Sequence, residues 1–318
     1  SGDIRILDRH TGVETIIADN ITAEDAHRVA CQQWSNGGKN VVYHDLKEGH
    51  WRVMTVDVAT LEKKELVRDR QVCFGSVDSP WVPVYGCHWN PGPHRDIELV
   101  HVETGEIRTV VKVDDVIAAC GDWIDERFGS RDISLFFPNM SPGDEKVFFK
   151  LSLPRGGDDF RSKQASLRDG MVVYDVKENR LIRMIERWRH PSWSPDGTAI
   201  FNNGNYFIDV DSGDVRYVAP SCFSNHPALT PDGRLFVTDG KAGKHGHGNA
   251  EDWGIAVGST EEDDFVVLHT FDNSRGASTW RPNHPHPVFS ADGQRIYYNV
   301  NEGPWTTLMV AERSKTDG

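Results

Sequence analysis

Long apolar runs are missing from this 318-residue chain. None reaches the ~18 residues that a membrane-crossing helix needs, so no transmembrane helix is expected. Cysteine is scarce: Cys31, Cys73, Cys87, Cys120 and Cys222 are widely spread, odd in number and without a Cys-x-x-Cys pair. That argues against a disulfide framework and reads as reduced, mostly buried thiols in a cytoplasm. The chain opens without a signal-peptide pattern, although a start lacking Met leaves room for a removed leader. Positive charge is in deficit, with 35 Lys and Arg against 48 Asp and Glu, a net charge of −13 and a pI of about 5.5. Nucleic acid is therefore not expected as a partner, because phosphate binding needs a basic surface. A local basic cleft for an anionic small ligand stays compatible with that balance. Neither a Gly-x-Ser-x-Gly elbow nor a phosphate loop ending in Gly-Lys-Ser/Thr occurs, which removes support for serine-hydrolase and P-loop chemistry. Helix signals are also nearly absent, and only residues 21–29 and 114–124 could hold more than a turn of helix.

What remains is globular in composition, 38% hydrophobic and 26% charged. It is built of short β-rich runs separated by turns, such as Lys39-Asn-Val-Val-Tyr and Trp51-Arg-Val-Met-Thr-Val-Asp. One repeat carries Asp-Gly turns: Ser194-Pro-Asp-Gly197, Thr230-Pro-Asp-Gly233 and Ser290-Ala-Asp-Gly293, with degenerate copies at Ser35-Asn-Gly-Gly38 and Ser141-Pro-Gly-Asp144. A second repeat is a strand, a turn and another strand, usually opened by Asp, as in Val56-Asp-Val-Ala-Thr and Ile208-Asp-Val-Asp-Ser-Gly. Two hairpins per unit make a four-stranded blade. Units fall at residues 31–67, 72–113, 133–185, 191–218, 226–271 and 287–313, the last without an obvious outer strand. The hairpin at residues 4–18 is expected to join the C-terminal blade and close the ring. The expectation is an all-β chain, one seven-bladed β-propeller domain over residues 1–318, with six blades or an irregular β-sandwich as alternatives.

Histidine recurs where the chain approaches each innermost strand. Arg189-His190-Pro191 precedes one Asp-Gly turn, Asn225-His226-Pro227 the next, and His284-Pro285-His286-Pro287 the last. A further one, His27, lies ahead of the first unit. Proline cannot donate to a sheet ladder, so these histidines belong at strand starts. In extended chain, residues two apart point the same way, so His284 and His286 can face one ligand together. A lone histidine at such a place is more often a structural plug. His-Pro at one repeat position in three consecutive units points instead to a shared site.

These residues resemble the oligogalacturonate lyases. The likeness runs from about residue 8 to the C-terminus. It rests on Thr11-Gly-Val-Glu-Thr, Ala26-His-Arg, His190-Pro-Ser-Trp-Ser-Pro-Asp-Gly, Cys222-Phe-Ser-Asn-His226 with Thr238-Asp-Gly240, and His284-Pro-His-Pro. The resemblance implies a seven-bladed propeller with a divalent cation, manganese, held by His226, His284 and His286, and His190 as catalytic base. Imidazole also suits zinc. The family's fourth ligand is a glutamine three residues before the first histidine of the last string. Here that place holds Arg281, which has no lone pair to offer a metal.

The implied reaction is β-elimination in an acidic oligosaccharide containing a uronate. The C5 proton lies alpha to a carboxylate and is very weakly acidic, so the carboxylate must be neutralised by a metal or an arginine while a base removes the proton. Arg168 is the expected catalytic arginine. Arg281, His27 and Arg161 are candidates for binding substrate, as are His245 and His247 in the glycine-rich loop at residues 240–249. Trp81, Trp89, Trp280 and Trp305 are candidates for stacking on sugar rings. Two other readings are a non-catalytic, WD-like propeller that binds protein or carbohydrate, and a metal-dependent glycoside hydrolase. The oligomeric state leaves no trace in the sequence.

Overall fold

Each Asp-Gly signal folds the same way. Ser194, Thr230 and Ser290 use their hydroxyls to bond the aspartate two residues on, at 2.5, 2.6 and 2.5 Å. Their carbonyls accept the amides of Gly197, Gly233 and Gly293 at 2.9, 2.9 and 2.8 Å. The three glycines take φ of 66°, 71° and 67°, a left-handed conformation that glycine adopts without steric cost. The second repeat closes through its aspartate. Asp57 accepts the amides of Ala59 and Thr60 at 3.0 and 2.8 Å, and Asp209 those of Asp211 and Ser212 at 3.1 and 2.7 Å.

The computed structural model describes residues 2–22, 30–156, 164–273, 284–301 and 306–313. Among these, the strands form seven sheets, all antiparallel inside. The first is the hairpin of Gly2–Leu7 and Glu14–Ile21. Five four-stranded sheets follow, at residues 33–68, 71–111, 134–185, 192–217 and 228–271. The seventh has three strands, Val288–Phe289, Arg295–Val300 and Thr307–Glu312. Each four-stranded sheet keeps its strands in chain order, so neighbours in sequence are neighbours in space. The fold is a seven-bladed β-propeller. Among the described residues the N-terminal hairpin is a sheet of its own, and no ladder joins it to the C-terminal strands, contrary to the expectation from the sequence.

The chain divides into two compact units, Ser1–Trp188 and Arg189–Gly318. In the first, valines of two successive blades (Val42, Val53, Val82, Val84 and Val100) pack into one core. A larger core gathers Leu135, Phe149, Leu151 and Val172 with the one long helix among the described residues, Val113–Phe128. That helix covers the residues 114–124 expected from sequence and ends on Gly129 at φ 65°. Of the other expected helical stretch, Ile21 closes a strand and residues 23–29 lie outside the described ones. In the second unit, Phe201, Phe223 and Phe236 fill one core, and Ile255, Phe271 and Ile296 fill another.

The three blades of the second unit share one feature that positions the site. Their innermost strands are only two residues long, Ser192–Trp193, Ala228–Leu229 and Val288–Phe289. Each begins directly after a His-Pro pair. The registers Ser192↔Phe201, Ala228↔Val237 and Val288↔Tyr297, extended by two residues, set His190 opposite Asn203, His226 opposite Asp239 and His286 opposite Asn299. Repetition of the blade therefore repeats the histidine.

Candidate metal centre

His226 occupies the middle of the cluster. The strand Leu235–Gly240 brings Asp239 beneath it, and Asp239 is fully buried. One oxygen of Asp239 accepts the His226 backbone amide at 2.9 Å, and both oxygens lie within bonding distance of His226 Nδ1, at 2.9 and 3.0 Å. The backbone amide of His286 donates to the same side chain at 3.0 Å. One aspartate thus ties two blades together and fixes the tautomer of His226. With Nδ1–H turned to Asp239, the lone pair of His226 sits on Nε2, on the side of the other histidines.

The four rings lie close together. His190 stacks on His226 with centroids 4.4 Å apart and planes 14° off parallel. His286 lies 3.7 Å from His226 and His284 5.0 Å, centroid to centroid. His226 Nε2 and His284 Nδ1 approach to 3.5 Å. One ligand nitrogen from each of His226, His284 and His286 falls within a set no more than 4.8 Å across. Imidazole nitrogens gathered so closely fit a divalent cation, which would replace mutual lone-pair repulsion with coordination. The aspartate behind His226 is the outer partner that metal-bound histidines commonly have.

His286 reaches this position through a left-handed backbone, φ 46°, unusual for a residue with a side chain and held here by its amide bond to Asp239. Desolvation, and then repulsion from His226, push its imidazole down to about 3 even though the residue keeps solvent-exposed surface. The direction is what coordination needs, since only a neutral imidazole can ligate.

His190 is turned the other way. Its Nδ1 donates to the carbonyl of Asn225 at 2.8 Å, which makes Nε2 the basic nitrogen of the ring. The residue is exposed, at the solvent side of the stack.

Other residues singled out from the sequence fall elsewhere. Arg168 lies in the first unit, on the strand Ser166–Asp175, paired with Ser152 and electrostatically coupled to Lys150. His245 ends a short 3-10 turn, Ala242–His245, and is exposed. His247 turns toward Phe223 and Phe265, at 6.5 and 6.0 Å, in aromatic packing. Trp81 has one face covered by the Arg108 guanidinium at 4.1 Å, which occupies the surface a sugar would use. Trp89 makes edge contacts with Trp51 and His88. His27, Arg161, Arg281, Trp280 and Trp305 lie outside the described residues.

Three side chains went unassigned in the sequence. Asp239 follows His226 by thirteen residues, as Asn203 follows His190 and Asn299 follows His286, so hairpin spacing was the available signal. Trp253 lies 5.0 Å from His284. Lys150 is 4% exposed, with its ammonium over the rings of Phe137 and Trp188 at 4.5 and 3.9 Å, and burial pushes it down to about 7. A lysine inside a Val-Phe-Phe-Lys-Leu strand gives no sequence sign of what it will face.

No protein-family model matches the chain, and no curated protein matches it. Among solved structures, an oligogalacturonate lyase in complex with manganese aligns over 99% of this chain and 83% of its own, with a TM-score of 0.65 and 18% identity. The chain shares its fold with that lyase. A second oligogalacturonate lyase, from Vibrio parahaemolyticus, covers 99% of this chain and 97% of its own at a TM-score of 0.57 and 11% identity. A chain of the mitotic checkpoint complex also aligns, over 98% of this chain and 82% of its own, with a TM-score of 0.56 and 10% identity. At such identities the likeness to oligogalacturonate lyases is one of fold, and function has to be argued from the residues.

Proposed function

We propose that this protein is a metal-assisted lyase that cleaves a uronate-containing oligosaccharide, of the oligogalacturonate kind, by β-elimination. The observation that carries the reading is the histidine cluster, with nitrogens of His226, His284 and His286 within 4.8 Å of one another over the buried Asp239. These three histidines would hold a divalent cation, manganese in our proposal, with zinc the other cation that suits imidazole. When bound, it would supply positive charge to the substrate carboxylate as the C5 proton leaves.

The chain's own residues do the rest. Asp239 holds His226 in the tautomer that offers Nε2 and fixes the backbone of His286. His190, with Nδ1 committed to the Asn225 carbonyl, offers Nε2 as the base that takes the proton. Stacking on His226 keeps that base beside the ligand set without making it a ligand. Arg168 and Arg281 are our proposals for the arginine that meets the carboxylate. Elimination leaves a carbon–carbon double bond in the product, where hydrolysis would add water.

The test is direct. Protein loaded with manganese is expected to release an ultraviolet-absorbing product from oligogalacturonate, with product mass equal to that of the substrate fragments and no added water. Absence of such a product across a panel of acidic oligosaccharides would leave the propeller as a binding platform.

A further inference from the structure

The last blade is short of a strand. Five blades have four strands each, but among the described residues the sheet of Val288–Phe289, Arg295–Val300 and Thr307–Glu312 stops at three. Thr307–Glu312 is therefore an edge. The Arg313 amide donates inward, to the Gln294 carbonyl at 3.1 Å. Backbone groups alternate sides along a strand, so the amides and carbonyls of Leu308, Val310 and Glu312 turn to the free edge. Nothing in Thr307-Leu-Met-Val-Ala-Glu312 guards that edge, which has no proline, no lysine and no bulge. Leu308 and Val310 are 61% and 49% exposed, so the edge is apolar as well as unpaired.

A groove of about 620 Å³ runs beside it, and both its walls belong to the second unit. Phe289, Ile296 and Ala311, a row across the last sheet, make one wall. Val266 and Leu268, on the outer strand Phe265–Phe271 of the preceding blade, are on the other. Val266 is 59% exposed. A fourth strand of the last blade would lie here, bonded to Thr307–Glu312 and with alternate side chains against Val266 and Leu268.

The charge at one end says what kind of strand. The turn after Trp253–Ser259 contains Glu261-Glu-Asp-Asp264, and Glu261, Glu262 and Asp264 lie on the groove's rim near Glu312. All three are exposed, and none is in an ion pair among the described residues. Glu312 is already answered by Arg295 at 2.6 Å. Arg234 and Arg313 also reach the rim, two cations to three unanswered carboxylates. A strand antiparallel to Thr307–Glu312 starts where that strand ends, so its first residues meet this acidic turn. A second copy of the chain does not suit. The sequence leading into its own edge strand, Asn301-Glu-Gly-Pro-Trp-Thr306, holds Glu302 and no basic residue, and each copy carries a net −13.

We infer that the edge and the groove are a docking site for an extended segment of another protein, added antiparallel to Thr307–Glu312 as the fourth strand of the last blade. The segment opens with lysine or arginine, set against Glu261, Glu262 and Asp264, and continues as a β-strand with apolar residues at alternate positions. This docking site stands independently of the reading of the histidine cluster.

The probe is a fluorescent peptide of two lysines followed by four Val-Thr repeats. It is compared with a scrambled peptide and with one carrying glutamates for the lysines. Binding is read by anisotropy and the site by hydrogen exchange. The lysine peptide should bind about tenfold more tightly than the glutamate peptide, and should slow exchange in residues 307–312. Val310→Pro removes one outward amide and leaves the inward ladder in place, so binding should weaken about tenfold. The exposed pair Glu261→Lys and Glu262→Lys should reverse the charge preference, and it tests the site even if V310P fails to fold. The inference is overturned if the lysine peptide binds no better than the scrambled one, if the double charge reversal keeps the original preference, or if protection appears elsewhere. A dimer in sedimentation, with residues 307–312 protected before peptide is added, would make a second copy the occupant and overturn it too.

Discussion

His88 in the first unit and His226 in the second are both well-buried histidines, yet their surroundings differ in kind. His88 is 4% exposed, with Nδ1 against the Ser166 hydroxyl at 2.8 Å, its carbonyl accepting from Ser152 at 2.6 Å, and Trp89 and Phe136 against its ring at 4.8 Å each. It is a plug, with hydroxyls satisfying its polar groups and aromatics filling its volume. The side chain of His226 is 11% exposed, but its partners are a buried aspartate and three other imidazoles. Packing alone gives no reason to gather four imidazoles, since each has a nitrogen lone pair that the others cannot all satisfy. Burial therefore does not separate a structural histidine from a ligand. The identity of the atoms around it does.

The largest effect should come from His226→Ala. Removing the central histidine of the proposed metal site is expected to abolish manganese binding in calorimetry or electron paramagnetic resonance, and to lower the proposed lyase activity by ~10³-fold or more. His88→Ala is its control. It should leave manganese affinity unchanged while costing about 1–3 kcal/mol of stability for the buried partners it strands. Equal effects of the two variants on metal binding would erase the distinction.

His190→Ala separates the proposed base from the proposed ligands. Activity should fall by about 10²–10⁴-fold while manganese affinity holds. A loss of metal in this variant would move His190 from base to ligand. Asp239→Asn comes next. It keeps the shape but can no longer accept with both oxygens, so metal affinity is expected to fall about 10–100-fold, read by titration. Retained affinity would mean that Asp239 serves only to tie the two blades.

The same contrast shows what was legible in the sequence. The blade boundaries were, because Ser/Thr-x-Asp-Gly turns and Asp-headed turns act locally through their own side chains, and each sheet after the N-terminal hairpin falls within two residues of its expected span. His190, His226 and His286 were legible because the blade repeat carries them to equivalent strand starts. Asp239 was harder. Its role depends on register across a hairpin, which must be counted and not read from a neighbour. Trp253 and Lys150 were not legible, since what they face is decided by packing between blades and not by any pattern within their own strands.

Lys150 is the first unit's counterpart to the buried histidines, and it offers the mildest test. Its ammonium lies over Phe137 and Trp188, with burial lowering its pKa to about 7 and neighbouring Arg168 acting in the same direction. In the unfolded chain it returns to the ordinary lysine range near 10.5. Between those values the unfolded chain holds a proton that the folded chain has given up, so stability should rise with pH across that window. Below about pH 7 both states are charged, and the full penalty of burying the ammonium is present. The expected gain is about 2 kcal/mol between pH 7 and pH 9, read from denaturant midpoints, since each pKa unit is worth about 1.4 kcal/mol. Lys150→Met keeps the volume, removes the titration and should flatten that slope while leaving manganese affinity unchanged. A slope that survives the substitution would place the titrating group elsewhere. A change in metal affinity would join the two regions that their chemistry keeps apart.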